Sequence, residues 1–337
     1  MNATMSLEKP KHYPVMLDQV LSIISPQHGG TFIDCTFRGG GYSKAILNFP
    51  NTKVIAIDRD NITLEFAKDL SKKFPNRFNF FKEKFSNLNK IVKSNLKPTA
   101  IIFDLGLSTF QLSDKKRGFS FESNNFLNME MGINKYSAYD VINTLDKNFL
   151  SKIIKILGDE KDGKKIANKI DQYRKKKTIE SSKELASIIK EAKKRKKFDK
   201  KNPATKTFQA IRIFVNQEMS ELILGLVQAT KLLSDGGKLL VVSFHSLEDK
   251  IVKDFFSLYS NLRRNSSRYL PEEVNKSVLF DLLSKKPIIP DSQEIKKNAR
   301  SRSAKLRYAV RNNNLFSHPD EFQKNFQSYF ELEELRI

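Results

Sequence analysis

Between Thr31 and Gly106 short apolar runs alternate with amphipathic stretches, and this rhythm limits the chain to very few folds. Residues 31–37, 54–58, 78–85 and 100–106 read as strands, short and apolar enough to be buried. The stretch beginning at Tyr42 and residues 62–74 read as helices between them. Repeated strand, helix and strand predicts a parallel sheet with helices on both faces. The expected class is α/β, a Rossmann-like, doubly wound sheet.

After Gly106 the rhythm stops. Residues 113–126 are polar and rich in Ser, Asn and Lys. From Ala138 to about Lys197 the pattern is helical, with Ile153, Ile154 and Ile156, then Leu185, Ile188 and Ile189, as its apolar positions. This predicts a helical insertion of roughly 100 residues, a size compatible with a small separate domain. The sheet pattern resumes with one long helix over 207–233, ended by Asp235-Gly236-Gly237 in a glycine cap. A fifth strand is expected over 238–245, a helix over 247–258 and late strands over 286–290 and 303–310. Residues 261–273 read as a basic loop, and the tail after Asn312 carries little pattern. The chain thus divides into a sheet domain over 1–110 and 213–337, interrupted by a mainly helical domain over 111–212.

Lys and Arg number 60 against 38 Asp and Glu, a formal net charge of +22. That balance points to a polyanionic partner, nucleic acid ahead of a membrane surface. Lysine-rich usage throughout the chain would give the same excess without a partner. Cys35 is the only cysteine, so no intrachain disulfide forms and Cys-rich zinc sites are excluded. With four scattered histidines, no metal site is expected. Residues 1–12 are polar, without the apolar core of a signal peptide. Apolar runs such as 100–103 and 239–242 are too short to span a bilayer. A cytoplasmic protein with no membrane partner is expected.

The string Asp34-Cys35-Thr36-Phe37-Arg38-Gly39-Gly40-Gly41 sets a carboxylate at a strand end, just before a glycine turn into a helix. Glycine lets backbone approach a ligand and adopt positive φ. Asp58 ends the second strand, where a carboxylate can accept hydrogen bonds from ribose hydroxyls. Asp104 ends the fourth. In an open parallel sheet all three acids line the crevice at the carboxyl ends of the strands. A dinucleotide is disfavoured, because the G-x-G-x-x-G spacing for pyrophosphate is absent and an acid precedes the turn. An acid there suits the ammonium and sulfonium groups of S-adenosylmethionine. A plain glycine turn with incidental acids is the alternative.

Longer strings point further. They include His12-Tyr13-Pro14-Val15-Met16-Leu17, the segment 34–43, and Asp104-Leu105-Gly106-Leu107-Ser108 with Gln111-Leu112. Arg117-Gly118-Phe119-Ser120-Phe121, the segment 203–212 with Val215-Asn216, the segment 243–250 and the segment 300–307 follow in order. Together they resemble the RsmH (MraW) family, the cytosine-N4 methyltransferases of 16S ribosomal RNA in the small subunit. The resemblance runs from about His12 to Val310. It implies a class I S-adenosylmethionine-dependent methyltransferase whose inserted helical domain recognises substrate. It implies cofactor contacts at Gly40, Gly41, Tyr42, Asp58, Phe85, Asp104 and Gln111, beside the Asp34 picked from the turn. Phe85 and Gln111 rest on the resemblance alone; a core aromatic is the other reading of Phe85. The chain departs from the family at Arg38, usually Gly, and at Tyr42, often His. Asn128 and Glu130 replace a usual Asp and Arg.

Methyl transfer to an exocyclic amine needs groups that orient it and accept its proton. Asp104 and Ser108 are the amine-side candidates, although Asp104 could serve the cofactor only. His245, with Glu248 and Asp249 beside it, could touch the base or hold its loop. Arg212 and Asn216 lie one helical turn apart, to bind RNA or to tie the insertion to the sheet. Arg300, Arg302, Lys305 and Arg307, with the runs 174–177 and 193–197, would contact phosphates; solvated helix faces are the alternative for the runs. A non-catalytic RNA-binding assembly factor with a degenerate pocket is a competing function, motivated by Arg38, Asn128 and Glu130. A methyltransferase acting on another nucleic acid or a protein amine is a third. A homodimer is compatible with the sequence.

Overall fold

The computed structural model describes residues 13–93, 95–193, 202–260 and 278–334. Residues 1–12 and the expected basic loop over 261–273 lie outside them, as does most of the run 193–197. A seven-stranded sheet in the order β3-β2-β1-β4-β5-β7-β6 forms the centre. Its strands are β1 (Gly30–Asp34), β2 (Thr52–Asp58), β3 (Phe78–Lys82), β4 (Ala100–Asp104), β5 (Lys238–Ser243), β6 (Phe280–Asp281) and β7 (Lys305–Arg311). β1 to β5 are parallel, while β7 runs antiparallel to both β5 and β6. This is the doubly wound sheet expected from the alternation, with an antiparallel edge added by β7 and β6.

Side chains alternate across each strand, so the two faces feed two cores. Phe32, Ala100 and Ile102 join α1 (Leu17–Ile24), α2 (Gly41–Leu47) and α3 (Thr63–Lys73) on one face. Ile33, Ile101 and Phe103 face the other side, which receives α4 (Leu88–Ile91) and everything inserted after α5 (Thr109–Ser113). The insertion comprises α6 (Ala138–Thr144), α7 (Lys147–Leu157), α8 (Gly163–Arg174), α9 (Ser182–Ala192) and α10 (Thr205–Asn216). Its apolar residues, among them Ile153, Ile166 and Leu185, belong to the same continuous cluster as that sheet face. The insertion therefore shares the sheet's core instead of enclosing its own.

The single helix expected over 207–233 is broken into α10 and α11 (Glu218–Leu232) at Gln217, whose backbone is left-handed at φ 52. Tertiary partners stabilise the break. The Glu333 carboxylate accepts the first-turn amides of α11, Met219 N at 3.1 Å and Ser220 N at 2.9 Å. Those N–H groups would otherwise lack partners at a helix start. The expected boundary at 212 falls inside α10, one turn before this break.

Following β5, α12 (Ser246–Leu258) returns along the sheet and α13 (Ser292–Lys297) precedes β7. The late strand expected over 303–310 is β7. The one over 286–290 is reduced to an isolated bridge, Ile288 to Leu306, and two-residue β6 holds the edge instead. The weakly patterned tail forms α14 (Pro319–Asn325) and α15 (Gln327–Glu333), burying Phe322, Phe326, Tyr329 and Leu332. Among the described residues no helix is long and apolar enough to cross a membrane.

Candidate active site

Strand order reverses between β1 and β4, and a crevice must open where their carboxyl ends diverge. A cleft of about 700 Å³, including its open mouth, lies there. Of the expected cofactor residues, Asp58, Phe85, Asp104 and Gln111 line it. Asp34, Gly40, Gly41 and Tyr42 are not on its wall but build the turn behind it.

Asp34 is buried and accepts Ser43 Oγ at 2.7 Å and Thr36 N at 3.2 Å, so it clamps the turn to α2. Burial raises its carboxyl pKa despite those donors. The Tyr42 hydroxyl donates to the Val15 carbonyl, and burial pushes its pKa well up. At Gly40, with φ 74, a Cβ would come within 2.8 Å of the Phe37 ring. At Gly41 it would meet Pro14 at 2.9 Å. Both glycines are needed for close packing within the protein.

Asp58 forms one end of the cleft. Among the described residues its carboxylate accepts only backbone donors, Arg38 N at 2.7 Å and Asp60 N at 2.9 Å. Two oxygens offer about four acceptor positions, so capacity is left for hydroxyls. Burial raises the Asp58 pKa to about 6. Next to it Phe85 meets Phe103 edge-on at 5.2 Å. Gly225 of α11 permits this, since a Cβ there would lie 2.7 Å from the Phe85 ring.

Asp104 forms the other end, and here Arg38 intervenes. Arg38 Nη1 sits 2.7 Å from Asp104 Oδ2, with the two side chains 8% and 2% exposed. Its Nη2 donates to the carbonyls of Asp104, Leu105 and Gly106 at 2.6, 2.6 and 3.1 Å. Burial raises the Asp104 pKa to about 6 although Arg38 pulls it down. The second oxygen, Asp104 Oδ1, is buried without a hydrogen-bond partner among the described residues.

Ser108 and Gln111 are paired in a capping box on α5: Ser108 N donates to Gln111 Oε1 and Gln111 N to Ser108 Oγ. Gln111 Nε2 then donates to Asp60 Oδ2 at 2.7 Å, and Arg117 Nη1 reaches the same oxygen at 2.6 Å. Ser108 is buried behind the wall. His245 caps α12 through a second box with Glu248. Glu248, not His245, lines the cleft. Burial pushes the Glu248 pKa up, but His245 and Arg212 outweigh it and hold the carboxyl below its usual range.

Arg212 is bound through two nitrogens to Glu218, each at 2.8 Å. Asn216 is fully buried, accepting Met131 N and donating to the Met129 and Arg212 carbonyls. The two thus tie α10 to the loop before α6 and to α11. Lys305 and Arg307 both reach Asp249 at 2.7 Å, whereas Arg300 and Arg302 are exposed. Arg174 donates to the Ile142 and Leu145 carbonyls, at the end of α6. Asn128 and Glu130 pair with each other at 2.7 Å.

Sequence reasoning missed Arg59, Lys84, Glu218 and Glu221 on the cleft wall. Glu218 and Glu221 stand three apart on the first turn of α11, a spacing that puts them on one face. Taking α10 and α11 as one helix hid that turn. Glu218, His245 and Glu248 bring one ligand atom each within 4.8 Å of one another. Arg212 already holds both oxygens of Glu218.

Known proteins match this sequence over most of the chain. The model of the MraW methylase family matches residues 9–312. The chain belongs to that family. Curated relatives named "Ribosomal RNA small subunit methyltransferase H" include one from Ehrlichia canis (strain Jake), 46% identical over 303 residues. That alignment spans 88% of this chain and 98% of the relative. The relative from Orientia tsutsugamushi (strain Ikeda) is 42% identical over 308 residues, spanning 90% of this chain and 98% of its own length.

For a methylase of this family the cofactor is S-adenosylmethionine, and the cleft fits it in three respects. Asp58 keeps free acceptor capacity for hydroxyls. Phe85 gives an apolar wall for a purine ring. Asp104 places a buried carboxylate, one oxygen of it without a donor among the described residues, where a cationic group would be accepted.

Proposed function

We propose that the protein methylates the exocyclic N4 amine of a cytidine in 16S ribosomal RNA of the small subunit. The observation that carries this reading is one cleft at the β1/β4 switch point, lined by both Asp58 and Asp104. The names of the relatives supply the class of RNA. Bound S-adenosylmethionine supplies an electrophilic methyl group on a sulfonium. Asp58 holds the ribose hydroxyls, Phe85 flanks the adenine, and Asp104 faces the cationic end.

An exocyclic amine is a poor nucleophile because its lone pair is delocalised into the ring. It must be oriented, and its proton must be accepted. Asp104 Oδ1, buried and unpartnered, is the group for that N–H. Ser108 acts as a positioning residue through Gln111, and His245 through Glu248. The insertion over 111–212, continued to the break at Gln217, covers the target nucleotide, which must be unstacked to enter. Exposed Arg300 and Arg302 contact phosphates, with Lys305 and Arg307 beside them.

Labelled S-adenosylmethionine is incubated with small subunits lacking the modification, and the RNA nucleosides are resolved. The label is expected in N4-methylcytidine. Label in another nucleoside would refute the cytidine assignment. Unlabelled subunits with RNA binding retained would favour an assembly factor.

A further inference from the structure

We propose that Arg38 is an internal occupant of the cofactor's cation site, which S-adenosylmethionine must displace, so that Arg38 sets how tightly this chain binds its cofactor. The proposal rests on the cofactor reading above and concerns one residue of it.

Four features of Arg38 support the assignment. Its guanidinium is buried on the cleft wall, paired through Nη1 with Asp104 and held through Nη2 by three consecutive carbonyls. A planar fork of donors matches such an acceptor set. The guanidinium carbon also stands 6.0 Å from the Phe244 ring centroid, within cation–π range. The residue holds a left-handed backbone at φ 52, a conformation that disfavours any side chain with a Cβ. Glycine would hold this turn with less strain, so the side chain is retained against a backbone preference. Finally, the same residue's backbone N–H binds Asp58 Oδ2 at the opposite end of the cleft. Arg38 thereby touches both acids that the cofactor needs.

The charge balance sets the consequence. Without Arg38 the cation site presents one buried carboxylate and three carbonyl oxygens, all acceptors. With Arg38 in place those acceptors are satisfied, apart from Asp104 Oδ1. A cationic ligand that takes the whole acceptor set can bind only the fraction of molecules in which the guanidinium has swung out, and its apparent affinity falls by that fraction.

Calorimetry on the full chain and on Arg38→Gly measures this, with S-adenosylmethionine and S-adenosylhomocysteine as ligands. The glycine variant is expected to bind S-adenosylmethionine about tenfold more tightly. The gain is expected to be smaller for S-adenosylhomocysteine, which lacks the sulfonium charge. Equal or weaker binding by Arg38→Gly would overturn the proposal; weaker binding would make Arg38 a clamp on the cofactor's carboxylate. A second readout needs no cofactor. Millimolar methylguanidinium should raise the melting temperature of Arg38→Gly and leave the wild type unchanged, because only the variant has an empty guanidinium site. Methylguanidinium rescue with no binding of either ligand would place the failure in the cofactor reading and overturn the displacement. Arg38→Lys keeps a charge but not the fork, and its affinity should lie between the other two. Identical affinities for Lys, Gly and Arg at this position would also overturn it.

Discussion

The two ends of the cleft carry the same kind of group and treat it differently. Asp58 and Asp104 close strands on either side of β1, both are desolvated, and both carboxyls rise to about 6. Asp58 is held by backbone N–H groups alone, so its remaining acceptor positions are ready for a ligand. Asp104 has a guanidinium against it, in a low-dielectric site where an ion pair is worth more and a lone charge costs more. An acid at a strand end is therefore only half of a binding site. Its free capacity depends on which side chains the fold brings to it.

Asp104→Asn should break this comparison most severely. It leaves the Arg38 guanidinium buried without a counter-charge, a loss of about 3 kcal/mol or more. Denaturant unfolding should show that loss, and methyl transfer should fall below detection. Asp58→Asn should be milder in stability, because no cation is stranded. Loss of a charged acceptor for ribose is expected to weaken S-adenosylmethionine binding by about ten- to a hundredfold.

Acid sharpens the comparison, because both ends must be ionised to receive their ligand groups. Cofactor affinity should be flat above neutrality and fall as pH drops through about 6. Stability should move the other way. The Asp58 carboxyl, which strands no cation when protonated, titrates higher folded than its ordinary 3.8, so its contribution is full below about pH 4 and lost as pH rises through about 6. Parallel curves for the two measurements would contradict the assignment.

Gly225→Ala tests the wall between the ends. The new methyl would displace the Phe85 ring into the cleft, weakening cofactor binding several-fold at about 1–2 kcal/mol of stability. The smallest effect is expected far from the ligand, at Glu333. Burial raises its carboxyl to about 8 from an ordinary 4.5. Its stabilisation is complete below about pH 4.5 and lost as pH rises through 8, a slope that Glu333→Gln should abolish in the denaturation midpoint.

Much of this was legible along the chain. Apolar runs of strand length, separated by amphipathic stretches, identify parallel strands because burial on both faces leaves no other pattern. An acid at a strand end is visible because strand and turn are both local. Asp58 and Asp104 were therefore found on the cleft from residue type and position alone. Asp34 carries the same signature, yet its carboxylate is consumed by Ser43 and Thr36. Ser108 and His245 were legible as polar residues at strand ends, but each caps a helix and stands behind a residue of the wall.

What the sequence determined, then, was the parallel strands and the strand ends that line the cleft, since each depends on neighbours within a few residues. Tertiary structure alone decided the rest. It broke one helix at Gln217 by bringing the Glu333 carboxylate to the amides of Met219 and Ser220, 114 and 113 residues away. It also seated the Arg38 guanidinium on Asp104, 66 residues along the chain. No local pattern encodes such pairings, because a buried charge takes whichever partner the packed fold leaves within reach.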